Sequence, residues 1–241
     1  MQTSPARTAS ALLGLSAALL SLAAAQPASA QTHTYTLNNT YTDSNGGPPL
    51  TPDGGTISSA GYIFVNKDQG LTLNNGINAT NYSIELNFSL TDLGGYKKLV
   101  DFGNLGPDTG LYFLNGQLDF YNVTGAVGPV VTANTSVDVL LTRNGMTNIV
   151  TGSLNGVQQF SFADTGNIAV FNQPNSVVHL FEDDAATSGN EASPGTVTRI
   201  VLTGTPAVPE ASTTVSLGLL LALGMGGLVV ANRRKKRCVG A

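Results

Sequence analysis

Tyr82-Ser83-Ile84-Glu85-Leu86-Asn87-Phe88-Ser89-Leu90 is the stretch whose reading decides the fold. Its five apolar residues alternate without a break with four polar ones. Successive strand side chains point to opposite sides. This period of two therefore sets Ile84, Leu86 and Phe88 against a core and Glu85 and Asn87 on the other face. Shorter runs recur at 56–65, 98–102, 137–143, 149–154, 177–181 and 197–202, separated by clusters of the turn formers Gly, Asn, Asp and Ser. Two Asn-Gly pairs sharpen the reading: Asn115-Gly116 lies between Leu111–Leu114 and Gln117–Phe120, and Asn155-Gly156 between Val150–Leu154 and Val157–Phe162. A type I′ turn needs positive φ at both central positions, which Asn and Gly tolerate, so each pair predicts a tight hairpin. No stretch between the two ends carries a sustained helical period. The expected class is all-β, a sandwich or barrel of many short strands.

Both ends of the chain differ in kind from this middle. Residues 1–30 read as a signal peptide: Arg7 is the sole charge before an Ala/Leu-rich run from Ala11 to Ala25, and Ala28-Ser29-Ala30 supplies a small-x-small cleavage pattern. Thr213–Ala231 is free of charge, and its 19 residues would span about 28 Å as a helix, close to the thickness of a bilayer core. Arg233, Arg234, Lys235, Lys236 and Arg237 follow at once, five of the 11 Lys and Arg in the chain. Such a cluster resists translocation and holds its end on the inner side, so a single transmembrane helix is expected here.

The order Val208-Pro209-Glu210-Ala211-Ser212-Thr213, apolar helix, basic run resembles the PEP-CTERM sorting signal of envelope-forming bacteria. Ala211 stands where that family has a second proline, and Cys238–Ala241 extend past the basic run. The resemblance covers 207–241. It implies processing near Pro209 and Glu210 by an exosortase-type membrane enzyme, after signal peptidase has acted at the other end. The middle of the chain would then be delivered to the cell envelope or an extracellular matrix.

That middle, 31–206, is long enough for one core. It holds every acid of the chain except Glu210, 14 in all, against Lys67, Lys97, Lys98, Arg143 and Arg199. This acidic balance argues against a nucleic acid or an anionic membrane surface as partner. It contains no Cys, so no disulfide staples it. Asn81–Phe88 followed by the Leu114-Asn115-Gly116-Gln117-Leu118 hairpin, Leu154-Asn155-Gly156-Val157 and the closing Arg199-Ile200-Val201-Leu202 is similar to the laminin-G-like, or concanavalin-like, jelly roll. The resemblance implies a two-sheet antiparallel sandwich in which 31–78 supply opening strands beside the last one.

Enzymes on such sandwiches, the laminarinase-type hydrolases, carry Glu-x-Asp and a second Glu on one strand, since glycosidic cleavage needs two carboxyls about 5–9 Å apart. Here Glu85 is followed by Asn87 and Ser89, and adjacent residues of Glu182-Asp183-Asp184 would face opposite ways. His33 and His179 lie far apart, and His179 falls in an alternating run. On these grounds the chain is expected not to be an enzyme but a non-catalytic surface or matrix protein, a binding or adhesion module for a glycan or a neighbouring matrix protein. A surface polysaccharide hydrolase is the alternative. Asp183, Asp184 and Glu191 bracket a loop of small residues and form a candidate calcium site, which the rim calcium of many laminin-G-like domains suggests. Without a metal the same segment reads as a solvated acidic loop with Arg199 as counter-ion. Trp, a favoured platform for sugar rings, is absent.

Overall fold

The computed structural model describes residues 30–67, 69–171 and 176–204. The signal peptide up to Ser29, the sorting motif at Pro209-Glu210, the apolar segment and the basic run lie outside the described residues. The described residues form fourteen strands, in the following order. The first five are β1 (Gln31–Tyr35), β2 (Thr51–Asp53), β3 (Thr56–Ser58), β4 (Gly61–Phe64) and β5 (Gly70–Leu73). Next come β6 (Tyr82–Leu90), β7 (Tyr96–Asp101), β8 (Gly110–Leu114) and β9 (Gln117–Phe120). The last are β10 (Val137–Asn144), β11 (Ile149–Leu154), β12 (Val157–Ala163), β13 (Val178–Leu180) and β14 (Gly195–Gly204). No helix occurs among the described residues.

All strand pairs are antiparallel and form two sheets. One has eight strands, in the order β12-β11-β10-β6-β14-β4-β3 with β1 also on β14; the other has six, in the order β2-β5-β13-β7-β8-β9. The alternating stretch is β6, at the centre of the larger sheet between β10 and β14. Tyr82, Ile84, Leu86, Phe88 and Leu90 are buried while the residues between them are half-buried, as the period of two requires. Phe88 packs on Phe113 of the opposite sheet and on Phe181, at centroid distances of 5.8 and 5.0 Å. A side chain of this size contributes roughly 1.5–3 kcal/mol by burial. The sandwich is thus held by aromatic contacts across its centre.

Both Asn-Gly hairpins form. Asn115 and Gly116 have φ of 51° and 80°, and Asn155 and Gly156 have 49° and 79°, so Leu114 pairs with Gln117 and Leu154 with Val157. Two of the opening strands lie beside the last one, as expected: β1 pairs with β14 from Gln31↔Gly204 to Tyr35↔Ile200, and β4 pairs with its first three residues. The run at 56–65 is not one strand but the β3–β4 hairpin. It folds back at Gly61, whose φ of 125° suits glycine and where a Cβ would strike the carbonyl of Val197.

One buried cation fastens the edge of the larger sheet. Arg143, on β10, donates from Nε to Asp164 Oδ2 at 2.9 Å, from Nη1 to the Thr80 carbonyl at 2.6 Å, and from Nη2 to Asn148 and Asn167 side-chain oxygens at 3.1 and 3.2 Å. Asp164 also accepts the backbone N–H groups of Ile168 and Ala169. The 164–169 turn after β12 is therefore built on this ion pair.

Candidate functional site

The smaller sheet has a polar outer face. Leu111 and Phe113 of β8 and Leu118 and Phe120 of β9 enter the core, so the residues between them, Tyr112 and Asp119, face the other way and stand opposite each other in register. Lys98 of β7 is the partner of Tyr112 on the other side. A β-bulge shifts the register between Lys98 and Val100, and it sends Leu99 and Val100 together into the core. The extra residue brings Asp101 back to the face of Lys98. The two side chains meet at 3.2 Å, although residues three apart on a regular strand would point to opposite sides.

Lys98 is the hub of this face, and its side chain has no solvent exposure. Its ammonium donates to Asp101 and to Asp184, lies 4.0 Å from Asp108 Oδ1, and sits 4.8 Å from the centre of the Tyr112 ring. A buried ammonium persists only with such compensation. Asp108 accepts a hydrogen bond from the Tyr112 hydroxyl at 2.6 Å. Tyr112 in turn belongs to a triad of edge-to-face rings with Tyr96 and Tyr121, whose centroids are 5.5 to 5.8 Å apart. Tyr112 is buried; Tyr96 and Tyr121 are half-buried and open to solvent.

The connection from β13 to β14 closes over the same face. The Lys98 N–H donates to the Glu191 carbonyl at 2.9 Å, and the Glu191 N–H donates to Asp183 Oδ2 at 3.0 Å. Asp183 Oδ2 also accepts the Thr187 hydroxyl, while Asp183 Oδ1 and Glu191 Oε2 are buried without a partner. Burial, then the carboxylates of Asp108, Asp183 and Asp184, push the Glu191 carboxyl up to about 7 against the opposing pull of Lys98. Asp119 is also raised, by burial, with the Thr124 hydroxyl working against it. The Tyr121 phenol is raised chiefly by the charge of Asp108. One face thus holds a carboxyl that keeps its proton near neutrality, further carboxylates, and two accessible aromatic rings. Such an arrangement can seat a polyhydroxylated ligand and exchange a proton with it.

Asp183, Asp184 and Glu191 do lie in one loop over this face; Asp183 Oδ2 and both Asp184 oxygens have partners, while Asp183 Oδ1 and Glu191 Oε2 have none. Asp184 holds Lys98 and caps the N–H groups of Ala186 and Thr187. Among the described residues no group of three or more His, Cys, Asp or Glu is arranged to hold a metal ion. The picture of a solvated loop with Arg199 as counter-ion is corrected: Glu182, Asp183 and Asp184 are 7, 5 and 2% exposed, Asp184 pairs with Lys98, and Arg199 pairs instead with Glu85 on the outer face of the larger sheet. His179 faces the same side as Lys98, bonded to Thr72, Glu182 and Asn104 at 3.1 to 3.2 Å. Of the expected signal-cleavage residues, Ala30 is exposed and outside any strand, and Ala28 lies outside the described residues. Sequence reasoning missed Lys98, Asp108 and the three tyrosines. The Asn115-Gly116 hairpin alone, counted outward, would have placed Tyr112 opposite Asp119.

No family model matches the chain. No curated protein matches it either. Solved structures do. Domain 4 of AbnA, an extracellular GH43 arabinanase from Geobacillus stearothermophilus solved in complex with arabinotriose, superposes with a TM-score of 0.55 at 17% identity over 75% of this chain and 95% of that one. Trypanosoma rangeli sialidase, as the covalent intermediate with 2,3-difluorosialic acid, gives 0.53 at 14% identity over 73% of this chain. A further structure of that sialidase gives 0.51 at 18%. The chain spans about 30% of the length of the sialidases. At such identities the likeness establishes the sandwich.

These neighbours overturn the expectation of a non-catalytic matrix or adhesion protein that is not an enzyme. Solved structures that share the sandwich include an arabinanase domain and sialidases. The physical reason for the error is visible in the site. Strand phase relates only carboxylates of one strand, whereas Asp108 comes from the β7–β8 connection, Glu191 from the β13–β14 connection and Asp119 from β9.

Proposed function

We propose that the middle of the chain is a carbohydrate-active module, a surface polysaccharide hydrolase on a jelly roll of the laminin-G-like class. Its glycan lies over Tyr96 and Tyr121, with Glu191 as the acid and Asp108 as the second carboxyl. The observation that carries this is the Glu191 carboxyl, held near 7 among carboxylates. Glycosidic cleavage requires two carboxyls, one of them able to give a proton to the leaving group. The arabinotriose complex of the AbnA domain supports a sugar ligand on this sandwich, and tyrosine rings supply the platform that tryptophan would otherwise give.

The ends of the chain support an exported protein. In this proposal signal peptidase acts at Ala28-Ser29-Ala30, an exosortase-type enzyme acts near Pro209-Glu210, and Arg233–Arg237 hold the C-terminal segment on the inner side of the membrane until then. The site would work in the envelope or the polysaccharide layer around it.

The test is to incubate the full chain with a panel of polysaccharides and measure the reducing ends released. Cleavage of at least one, abolished by Glu191→Gln with Tyr121→Ala weakening binding, is the expected result. Absence of cleavage and of retention on every glycan of the panel would refute the reading.

A further inference from the structure

The edges of the two sheets are unequally protected. β2 and β3 are three residues long, and β2 carries Pro52 and Asp53. The open side of β1 is covered by the turn at 43–45: the Ser44 N–H donates to the Thr34 carbonyl, and the Thr34 N–H donates to Asp43. The open side of β9 is covered by the segment that follows it, through the N–H groups of Val127 and Val131 on the Leu118 and Gly116 carbonyls. β12 differs. It ends the larger sheet, with β11 its sole neighbouring strand among the described residues. Its seven residues, Val157–Ala163, include no charge and no proline, and its one irregularity, the extra residue Gln159, lies toward the hairpin end. An open edge of this length without charge or proline is a template for another strand.

The ladder shows which peptide groups are free. The Asp164 N–H donates to the Asn148 carbonyl at 2.7 Å. Hydrogen-bonded pairs alternate along an antiparallel ladder, so Phe162, opposite Val150, turns its peptide groups to β11, while Ser161 and Ala163 turn theirs outward. Both of these residues are exposed. The flank around the edge is uncharged although the domain is acidic: no Asp, Glu, Lys or Arg occurs between Asp119 and Asp138 or between Arg143 and Asp164. Val123, Val130 and Val157 lie in these two stretches and are 42, 67 and 64% exposed. The stretches meet at β12, where Gly128 abuts the Gln159 side chain and Val123 lines one cavity with Phe162. A second copy fits this edge, because the like charge that opposes self-association of an acidic domain is missing here and a strand laid antiparallel on itself is self-complementary. We propose that two copies of the chain pair through β12 about a two-fold axis at Ser161. Ser161 then exchanges both peptide hydrogen bonds with its counterpart, Gln159 stands opposite Ala163 and Phe160 opposite Phe162, and the two larger sheets become one. A ladder over 159–163 is only about 17 Å long and falls below a standard interface, so the pairing is weak and concentration-dependent.

The test is disulfide cross-linking of the full chain in detergent, with no glycan present and with Cys238→Ser as background. Adding Ser161→Cys sets two thiols within disulfide reach across the axis, so mild oxidation should convert more than half of the chain to a reducible dimer. Thr198→Cys, at an exposed position of β14 inside the same sheet, should give less than a tenth as much. Light scattering of the parent chain should show a mass that rises with concentration from one copy to two. Ser161→Lys sets like charges against each other at the axis and should raise the dissociation constant about tenfold or more, whereas Thr198→Lys should leave it unchanged. A melting temperature close to the parent's shows that Ser161→Lys is folded; if it is not, the cross-linking decides alone. Equal cross-linking at the two positions, or none with Ser161→Cys, would overturn the pairing. So would a monomer at every concentration, or a dimer that a folded Ser161→Lys leaves intact.

Discussion

Replacing Arg143 with Met should destabilise the protein more than any exposed substitution, and its cost can be worked from the contacts. The methionine keeps most of the aliphatic volume of a side chain that is 2% exposed but removes four hydrogen bonds. Three of the acceptors, the Thr80 carbonyl and the Asn148 and Asn167 oxygens, are only partly buried, so water can replace the guanidinium there. The Asp164 carboxylate has no exposed side-chain area and loses its sole counter-ion among the described residues. Breaking one half of a buried pair costs about 3–5 kcal/mol. Asp164 keeps two backbone N–H donors, and a cavity of about 210 Å³ borders its turn along Val123, Phe162 and Ile168, which places the cost near the lower end. For a domain of this size about 3 kcal/mol corresponds to a fall in Tm of roughly 6–12 °C. Urea unfolding followed by far-UV circular dichroism measures it; tryptophan emission is not an option in a chain without Trp. A double-mutant cycle with Asp164→Asn should return a coupling of about 2 kcal/mol. A single-variant cost under about 1 kcal/mol, or additivity in the cycle, would show that Arg143 is not the fastener described.

Two further outcomes are expected. Because the Glu191 carboxyl lies at about 7 in the folded protein against an ordinary 4.5, the folded state holds this proton more tightly than the unfolded chain does. Its contribution is therefore fully present below about 4.5 and lost as pH rises to about 7; in Glu191→Gln that decline in Tm between pH 5 and 7 should be absent, and an unchanged profile would contradict it. Gly116→Val places a β-branched residue at a φ of 80° with the Val131 carbonyl 3.1 Å from the new Cβ, which should cost about 1–3 kcal/mol, read as a lower urea midpoint.

What the sequence disclosed, and what it withheld, follows from how far each contact reaches along the chain. The burial of Ile84, Leu86 and Phe88 and the turns at Asn115-Gly116 and Asn155-Gly156 are local, set by alternation and by φ. Asp101 meets Lys98 only because a bulge spoils the count between them, and Asp184 meets Lys98 from 86 residues away. The Glu182-Asp183-Asp184 triplet looked unfit for chemistry because strand phase was applied to it, yet the strand ends at Leu180 and a loop obeys no phase. Neither the carboxyl cluster nor the proton on Glu191 was legible, since both arise where separate connections fold over one face.

Gln31 stands opposite Gly204 in the β1–β14 ladder, and this arrangement has a mechanical side. If the chain beyond Gly204 is held while a polymer is gripped at the Tyr96–Tyr121 face, tension enters β14 along its own axis. Its pairs with β6, from Gly195↔Leu90 to Gly204↔Tyr82, then carry the load side by side and must fail together. Tension between Gln31 and Gly204 would instead peel β1 off one pair at a time. The sandwich should resist drag on a polymer bound at that face far better than traction between Gln31 and Gly204.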